Sequence, residues 1–235
     1  NGGTTASNSD GSLGTVVEAN TTAGFSIVTW TGAGGVRTVG HGLGVAPDVI
    51  IVKNRSTSTQ WGVWHKNLAD TDKNLRINST SAEVDDALWN DTVPTSSVFS
   101  IGSSAEVSGN SIAYCFAEKQ GYSKFGKYVG NGNANGPFVY TGFKPAFVMI
   151  KRSDSADSWA IYDNKRSDSG GFNVIDKHLR ADTSGAEYDP GGSPAAQIDI
   201  LSNGFKQREA NGQLNASGGT YIYMAFAENP FVTST

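Results

Sequence analysis

The sequence has a single cysteine, Cys115, among 235 residues. One thiol excludes an intrachain disulfide framework and a cysteine-based zinc site. Cys115 lies in the apolar run IAYCFA, so we expect a small buried hydrophobic residue rather than a reactive thiol. Folding of this chain therefore does not require an oxidising compartment.

Charge is also scarce: charged residues make up 17% of the chain, the formal net charge is -4, and neither sign forms a run. Nucleic-acid-binding proteins usually carry a basic patch, so no nucleic-acid partner is expected. No apolar stretch approaches the roughly 20 residues that span a bilayer, and no signal peptide is visible. We predict no membrane insertion. The first residue, Asn1, is not methionine, which suggests a fragment or a processed product.

The strong helix formers leucine, glutamate and lysine are sparse, whereas glycine reaches 29 residues and serine, threonine and asparagine are abundant. This composition is typical of short strands joined by polar turns. It predicts an all-β protein.

The chain repeats itself. The segment GVAPDVIIVKNR returns as GFKPAFVMIKRS, which places Pro145 98 positions after Pro47 and Lys151 98 positions after Lys53. Further along, DKNLR returns as DKHLR at an offset of 104, and FAE returns at an offset of 110. Insertions in loops explain the growing offset, because loops tolerate added residues at low cost. We therefore predict two homologous repeats.

The predicted boundaries are residues 24–121 for the first repeat and 122–235 for the second. Residues 1–23 are polar and rich in small residues, and we interpret them as a linker or the remnant of a preceding repeat. Apolar runs separated by turn residues predict two tandem β-sandwiches packed together. Short helices could form only around residues 82–89 and 176–181.

Several runs together resemble a family of repeat-containing bacteriophage proteins, described as tail-fibre or virion structural proteins, many from marine and aquatic phages. The runs are GFSIVTWTG, TVGHGLGVAPDVIIVKNR, SIAYCFAEKQGYSKFGKYVGNG, GPFVYTGFKPAFVMIKR and TYIYMAFAENPF. The similarity extends from about Ser12 to Val232. It implies a module on the virion surface, made in the host bacterial cytoplasm, that contacts other virion proteins and forms a homo-oligomer, usually a trimer. No catalytic or binding residue is carried over by the resemblance.

No pattern of catalytic or metal-binding residues is visible, and we predict no enzyme activity, no cofactor and no metal. Candidate carboxylates for glycan cleavage recur in both repeats, which favours an architectural role; they are Asp72, Glu83, Glu118, Asp176, Glu187 and Glu228. The three histidines lie at positions that do not match between the repeats, which argues against a shared site; they are His41, His65 and His178.

Aromatic and asparagine side chains are the candidates for ligand contacts. Trp61 and Trp159 occupy matched positions, which favours the core over a sugar-stacking surface. Trp89 has no aromatic counterpart and lies among polar residues, so it is a candidate for an exposed contact. The loop NGNANG supplies three further candidates, Asn131, Asn133 and Asn135.

These observations predict a non-enzymatic module of a tail fibre or spike that presents loops to a host-surface glycan or protein through many weak contacts. A purely structural decoration or connector of the virion is the alternative. A polysaccharide-cleaving tailspike is a third possibility.

Overall fold

The computed structural model describes residues 4–32, 34–166, 175–189 and 197–230. Over these residues the chain is all-β, as the composition predicts, with eighteen strands and one four-residue helix. Contacts divide the chain into two compact units. No helix in the described ranges is long and apolar enough to cross a membrane.

Unit 1 comprises Asn1–Ile77 and Glu83–Lys119, so it ends close to the predicted boundary at residue 121. Its strands are β1 (Ala6–Asn8), β2 (Thr15–Asn20), β3 (Phe25–Gly32), β4 (Arg37–Gly40), β5 (Val49–Asn54), β6 (Gly62–His65), β7 (Lys73–Arg76), β8 (Val84–Asp85), β9 (Val98–Ile101) and β10 (Gly109–Phe116).

Unit 2 comprises Asn78–Ala82 and Gln120–Thr235. Its strands are β11 (Ser123–Val129), β12 (Phe138–Tyr140), β13 (Pro145–Arg152), β14 (Ala160–Asp163), β15 (Leu179–Arg180), β16 (Ile198–Leu201), β17 (Gly204–Gln207) and β18 (Thr220–Ala227). The helix α1 (Gly212–Asn215) begins at the N-cap Asn211, whose side chain accepts a hydrogen bond from the amide of Leu214.

The interpretation of residues 1–23 as a linker is wrong for the described part, residues 4–23. Strand β2 pairs along β3, with Val16 opposite Thr29, and β1 pairs with β2. Apolar and polar residues alternate too weakly in the sequence TVVEAN to predict a strand. The segment forms one because it pairs with the edge of β3. The leading segment is therefore part of unit 1.

In unit 1, one antiparallel sheet has the order β1-β2-β3-β10-β5-β6-β7-β8, and β4 pairs with β9 in a second sheet. In unit 2, the corresponding orders are β11-β18-β13-β14-β15 and β12-β17-β16. The order β3-β10-β5-β6-β7 is thus repeated by the strands that lie 98 to 110 positions later.

The core of each unit contains side chains from both of its sheets. In unit 1, Ile50 and Val52 of β5 share a cluster with Phe99 of β9. In unit 2, Val148 and Ile150 of β13 share a cluster with Phe205 of β17. Cys115, as expected, is fully buried in the first cluster. The apolar run of β5 is buried on both sides, because its adjacent residues Val49 and Ile50 are both inaccessible.

Neither segment in which a short helix was considered possible is helical, and the helix that does form among the described residues, α1, lies outside both of them. Residues 82–89 contain the short strand β8 followed by turns, and residues 176–181 contain β15. Both segments pair at a sheet edge, β8 with β7 and β15 with β14. Strand pairing supplies the backbone hydrogen bonds that an isolated short helix would leave incomplete.

Candidate ligand-binding sites

Trp89 is not an exposed contact residue, contrary to its predicted role. Its side chain is 1% exposed and belongs to the core of unit 1, where its ring meets Phe99 edge-on with centroids 6.3 Å apart. The polar residues that follow it form a turn, in which Asn90 and Asp91 have positive φ angles. The residues after Trp89 are polar because they form a turn. Their polarity does not show where the Trp89 side chain lies, and the prediction of an exposed Trp89 was wrong for this reason.

The predicted asparagine loop is exposed and ordered by its own side chains. The Oδ1 atom of Asn131 accepts from the amide of Asn133 at 3.0 Å, and Oδ1 of Asn133 accepts from the amide of Asn135 at 2.8 Å. These are two successive Asx turns. The side-chain amide of Asn131 donates to the carbonyl of Asn135 at 3.1 Å, which closes the loop.

Asn215 anchors this loop to unit 2. Its buried amide donates to Oδ1 of Asn131 at 3.0 Å and to the carbonyl of Asn133 at 2.8 Å, and its Oδ1 accepts from the amide of Asn131. The NH₂ group of Asn133 and the side chain of Asn135 form no hydrogen bond within the described chain. These two groups are the ones that could contact a ligand, while Asn131 is structural.

An open cleft of about 590 Å³ lies in unit 1, where β1, β2, β3 and β10 meet. It was not predicted from the sequence, because its walls come from segments far apart in the chain. Most of its described lining residues carry a hydroxyl or amide side chain; the lining consists of Ser7, Asn8, Ser9, Gly14, Thr15, Val16, Thr29, Trp30, Thr31, Arg55, Asn110 and Ser111.

Among the described residues that line this cleft, Arg55 is the only charged one. Its backbone amide donates to the carbonyl of Asn110 at 2.7 Å, and Oδ1 of Asn110 accepts from the Thr31 hydroxyl at 2.9 Å. No carboxylate in the described ranges forms an ion pair with its exposed guanidinium. Trp30 contributes little ring surface, because it is buried and its indole N–H donates to the carbonyl of Val107 at 3.3 Å. As far as its described lining shows, the cleft thus offers hydrogen-bonding groups and one cation without an ion-pair partner.

The other tryptophans do not form an aromatic platform. Trp64 and Tyr162 belong to the two cores, Trp159 is buried, and Trp61 is partly exposed. The burial of Trp159 agrees with its predicted core position, whereas Trp61, predicted to be a core residue as well, is partly exposed.

Three of the recurring carboxylates, Glu118, Glu187 and Glu228, form ion pairs with basic side chains. Glu118 lies 3.1 Å from Lys66, and Glu228 lies 2.7 Å from Lys144, which lowers the pKa of the Glu228 carboxyl. Glu187 pairs with Arg166 at 2.6 Å. Across the described ranges, no three histidine, cysteine or acidic side chains lie close enough together to hold a metal ion.

The histidines are buried and separate. His41 accepts from the amide of Leu43 through Nδ1, and burial lowers its pKa. The ring of His178 packs at a tilt against Tyr162 and Tyr188, with centroids 5.1 and 4.7 Å away, and burial, with the nearby Arg180, lowers the pKa of His178 to about 4. A neutral imidazole enclosed by aromatic rings serves packing.

Two buried groups could act as nucleophiles if they were accessible. Burial raises the pKa of the Cys115 thiol to about 12, and burial lowers the pKa of the Lys151 amine to about 8. Both side chains have no exposed surface. Neither can reach a substrate, since a reactive nucleophile needs partial exposure.

A protein-family model matches nearly the whole chain. The model of the family DUF7483, described as a domain of unknown function, matches residues 1–230.

The chain belongs to the DUF7483 family. No curated protein and no solved structure matches this DUF7483 chain. Its candidate sites are therefore defined by their own geometry: the cleft around Arg55 in unit 1, and the loop of residues 131–136 in unit 2.

Proposed function

We propose that this chain is a non-enzymatic module of a bacteriophage virion, part of a tail fibre or spike, that attaches to a host-surface glycan or protein. The phage context comes from the sequence resemblance. It implies a location on the virion surface, contacts with other virion proteins and a homo-oligomer, with a trimer as the expected state.

The proposal includes two homologous β-sandwich repeats. It is supported by the repeated strand order and by matched core positions: Ile50 and Val52 lie 98 positions before Val148 and Ile150, and all four are core residues. A duplicated module offers two sets of loops on one chain, and an oligomer multiplies them, which is the arrangement that weak multivalent attachment requires.

The observation that carries the binding function is the chemistry of the cleft. A pair of carboxylates would be needed for glycan hydrolysis, and the described lining contains none. Hydroxyl and amide groups match the hydroxyl-rich rim of a saccharide. The guanidinium of Arg55 is suited to a carboxylate or phosphate on that saccharide. An acidic surface polysaccharide is therefore the favoured ligand.

A glycan array and a host-cell binding assay test this function. The intact chain should bind acidic glycans, and Arg55→Ala should weaken binding about tenfold or more, the effect of losing one charge-assisted hydrogen bond. Arg37→Ala, which removes an arginine outside the cleft lining, is the matched control and should leave binding unchanged. Asn135→Ala tests the loop in the same way.

The same material distinguishes the alternatives. If no glycan or host cell binds, and antibodies against the chain decorate only the head shell in electron micrographs, the chain is a structural decoration and the attachment function is wrong. If new reducing ends appear when host polysaccharide is incubated with the chain, the non-enzymatic assignment is wrong.

A further inference from the structure

Two exposed aromatic side chains are neighbours on β12 of unit 2. Phe138 is 45% and Tyr140 is 63% exposed, and the buried Val139 separates them in the sequence. Side chains two positions apart on a strand point to the same face, about 6.6 Å from one another along the strand. The two rings therefore form one surface, the aromatic strip, on the side of the sheet that faces away from the core.

A glycine supports one end of the aromatic strip. Gly204 of β17 lies opposite Tyr140, and a Cβ atom at Gly204 would stand 2.9 Å from Cε2 and 3.0 Å from Cζ of Phe138. The ring of Phe138 therefore lies over the backbone of Gly204, in the space that a side chain would fill. Because the Phe138 side chain is 45% exposed, the part of the ring that does not rest on Gly204 is open to solvent. A ring held in this way presents a surface on which a ligand can stack.

The asparagine loop is fixed next to the aromatic strip. Lys206 lies opposite Phe138 in the pairing of β12 with β17, and its Nζ donates to the carbonyl of Gly136 at 2.9 Å. This bond holds the end of the loop against the sheet. The Cα atoms of Asn135 and Phe138 are three residues, and thus at most about 10 Å, apart. A ligand of two or three sugar units on the Phe138 ring would therefore come within reach of the Asn135 carboxamide.

The repeated fold does not require aromatic residues at these two positions. Strand β4 takes the place of β12 in unit 1, since each pairs a core valine with a core phenylalanine, Phe99 in unit 1 and Phe205 in unit 2. Thr38 and Gly40 flank the core valine of β4, where the aromatic strip flanks that of β12. Because a threonine and a glycine suffice for the same strand in unit 1, packing does not account for the two exposed rings. Contact with a ligand does.

The size and the surroundings of the aromatic strip favour a saccharide as the ligand. An aromatic side chain buries 150 to 250 Å² when it is fully covered, so the exposed parts of the two rings supply about 200 Å². A protein partner usually covers about 800 Å². Nucleic acid requires a basic groove beside the rings, whereas here the carboxylate of Asp199 lies opposite Lys206 on the adjacent strand. The apolar face of a sugar ring fits an aromatic ring, and its hydroxyl groups fit carboxamides.

We propose that the aromatic strip is a second ligand site, which binds an uncharged saccharide. Sugar rings stack on Phe138 and Tyr140, and the exposed carboxamides of Asn133 and Asn135 bind the hydroxyl groups of the saccharide. The inference goes beyond the cleft of unit 1, because this site needs no anionic group on the ligand. It stands whether or not an acidic glycan binds at Arg55.

Saturation-transfer NMR with the intact chain and uncharged tetrasaccharides of glucose, galactose, mannose and N-acetylglucosamine tests this site, because the method detects weak binding. At least one tetrasaccharide should bind. Tyr140→Ala and Phe138→Ala should each weaken this binding about fivefold, the effect of losing one stacked ring. Tyr140→Phe keeps the ring and should bind like the wild type, whereas Tyr140→Leu, apolar but without a ring, should bind like Tyr140→Ala. Val129→Ala shortens another exposed apolar side chain of unit 2 and is the matched control.

A photoreactive derivative of the bound tetrasaccharide identifies the site in the wild-type chain, which does not depend on any variant folding. Labelling should fall on β12 or the asparagine loop. Labelling of the cleft, or loss of binding in Arg55→Ala, would overturn the second site but leave the proposed function intact. Binding of none of the four tetrasaccharides would also overturn it, as would wild-type binding by Tyr140→Leu. Self-association of the chain that Tyr140→Ala abolishes would assign the rings to a second copy instead.

Discussion

The buried amine of Lys151 should make the stability of the protein depend on pH. Its Nζ donates to the carbonyls of Thr80, at 3.2 Å, and of Arg152. Burial is the main cause that lowers the pKa of Lys151 from 10.5 to about 8. Repulsion from Arg152 also lowers it, whereas the carboxylates of Asp157 and Asp182 raise it. The amine therefore folds into an environment that disfavours its charged form.

The sign follows from proton binding. Between about pH 8 and 10.5 the unfolded chain holds a proton on Lys151 that the folded chain has released. The free energy of unfolding therefore rises with pH across this window. The full difference in pKa corresponds to about 3 kcal/mol, so the rise attributable to Lys151 between pH 7 and 10 should be about 2 to 3 kcal/mol.

Urea unfolding of the wild type and of Lys151→Met at pH 7, 8, 9 and 10 measures this effect. Other titrating groups change both proteins alike, so the difference between them isolates Lys151. As the pH rises, the free energy of unfolding of the wild type should increase relative to that of Lys151→Met. Lys53→Met removes the matched lysine of unit 1, which is only partly buried, and controls for the loss of a strand lysine. A difference that stays constant from pH 7 to 10 would refute the reasoning.

Three further predictions concern buried side chains. Trp89→Ala should lower the free energy of unfolding by about 3 to 5 kcal/mol in urea titrations, as expected for a core tryptophan. It should leave the glycan affinity per folded molecule unchanged. A variant of normal stability that has lost glycan binding would contradict the burial of Trp89. Asn215→Ala should lower the free energy of unfolding by about 2 to 3 kcal/mol, because it leaves buried hydrogen-bond partners unsatisfied. Asn133→Ala, at an exposed position, should lower it less. Equal destabilisation of the two variants in thermal melts would argue against Asn215 as the anchor of the loop. Cys115 should react with a thiol reagent only after denaturant is added, and rapid reaction in buffer would contradict its pKa of about 12 and its burial.

Sequence patterns predicted the features that depend on local periodicity. The run DVIIVK indicated a strand buried on both sides, and Val49 and Ile50 are both inaccessible. The asparagine loop was found because NGNANG is turn chemistry that operates within six residues. Such signals need no knowledge of distant parts of the chain.

The wrong and missing predictions share a different cause. Trp89 was assigned to the surface from its neighbours in sequence, but Phe99 and the rest of the core decide its burial. Residues 4–23 looked like a linker until pairing with β3 made two of their segments strands. The cleft could not be predicted because Asn8 of β1, Thr31 of β3 and Arg55, which follows β5, meet only after the sheet is assembled.

By itself, the sequence determined that this chain is all-β and where most strands and turns fall, because backbone preference and apolar alternation act over a few residues. It also determined which positions recur 98 to 110 residues later. Only the tertiary structure decided which strand edges are covered, which polar side chains share a cleft and which tryptophan is buried. These properties depend on strand pairing between distant segments, and the order of strands in a sheet is set by the packing of the whole unit.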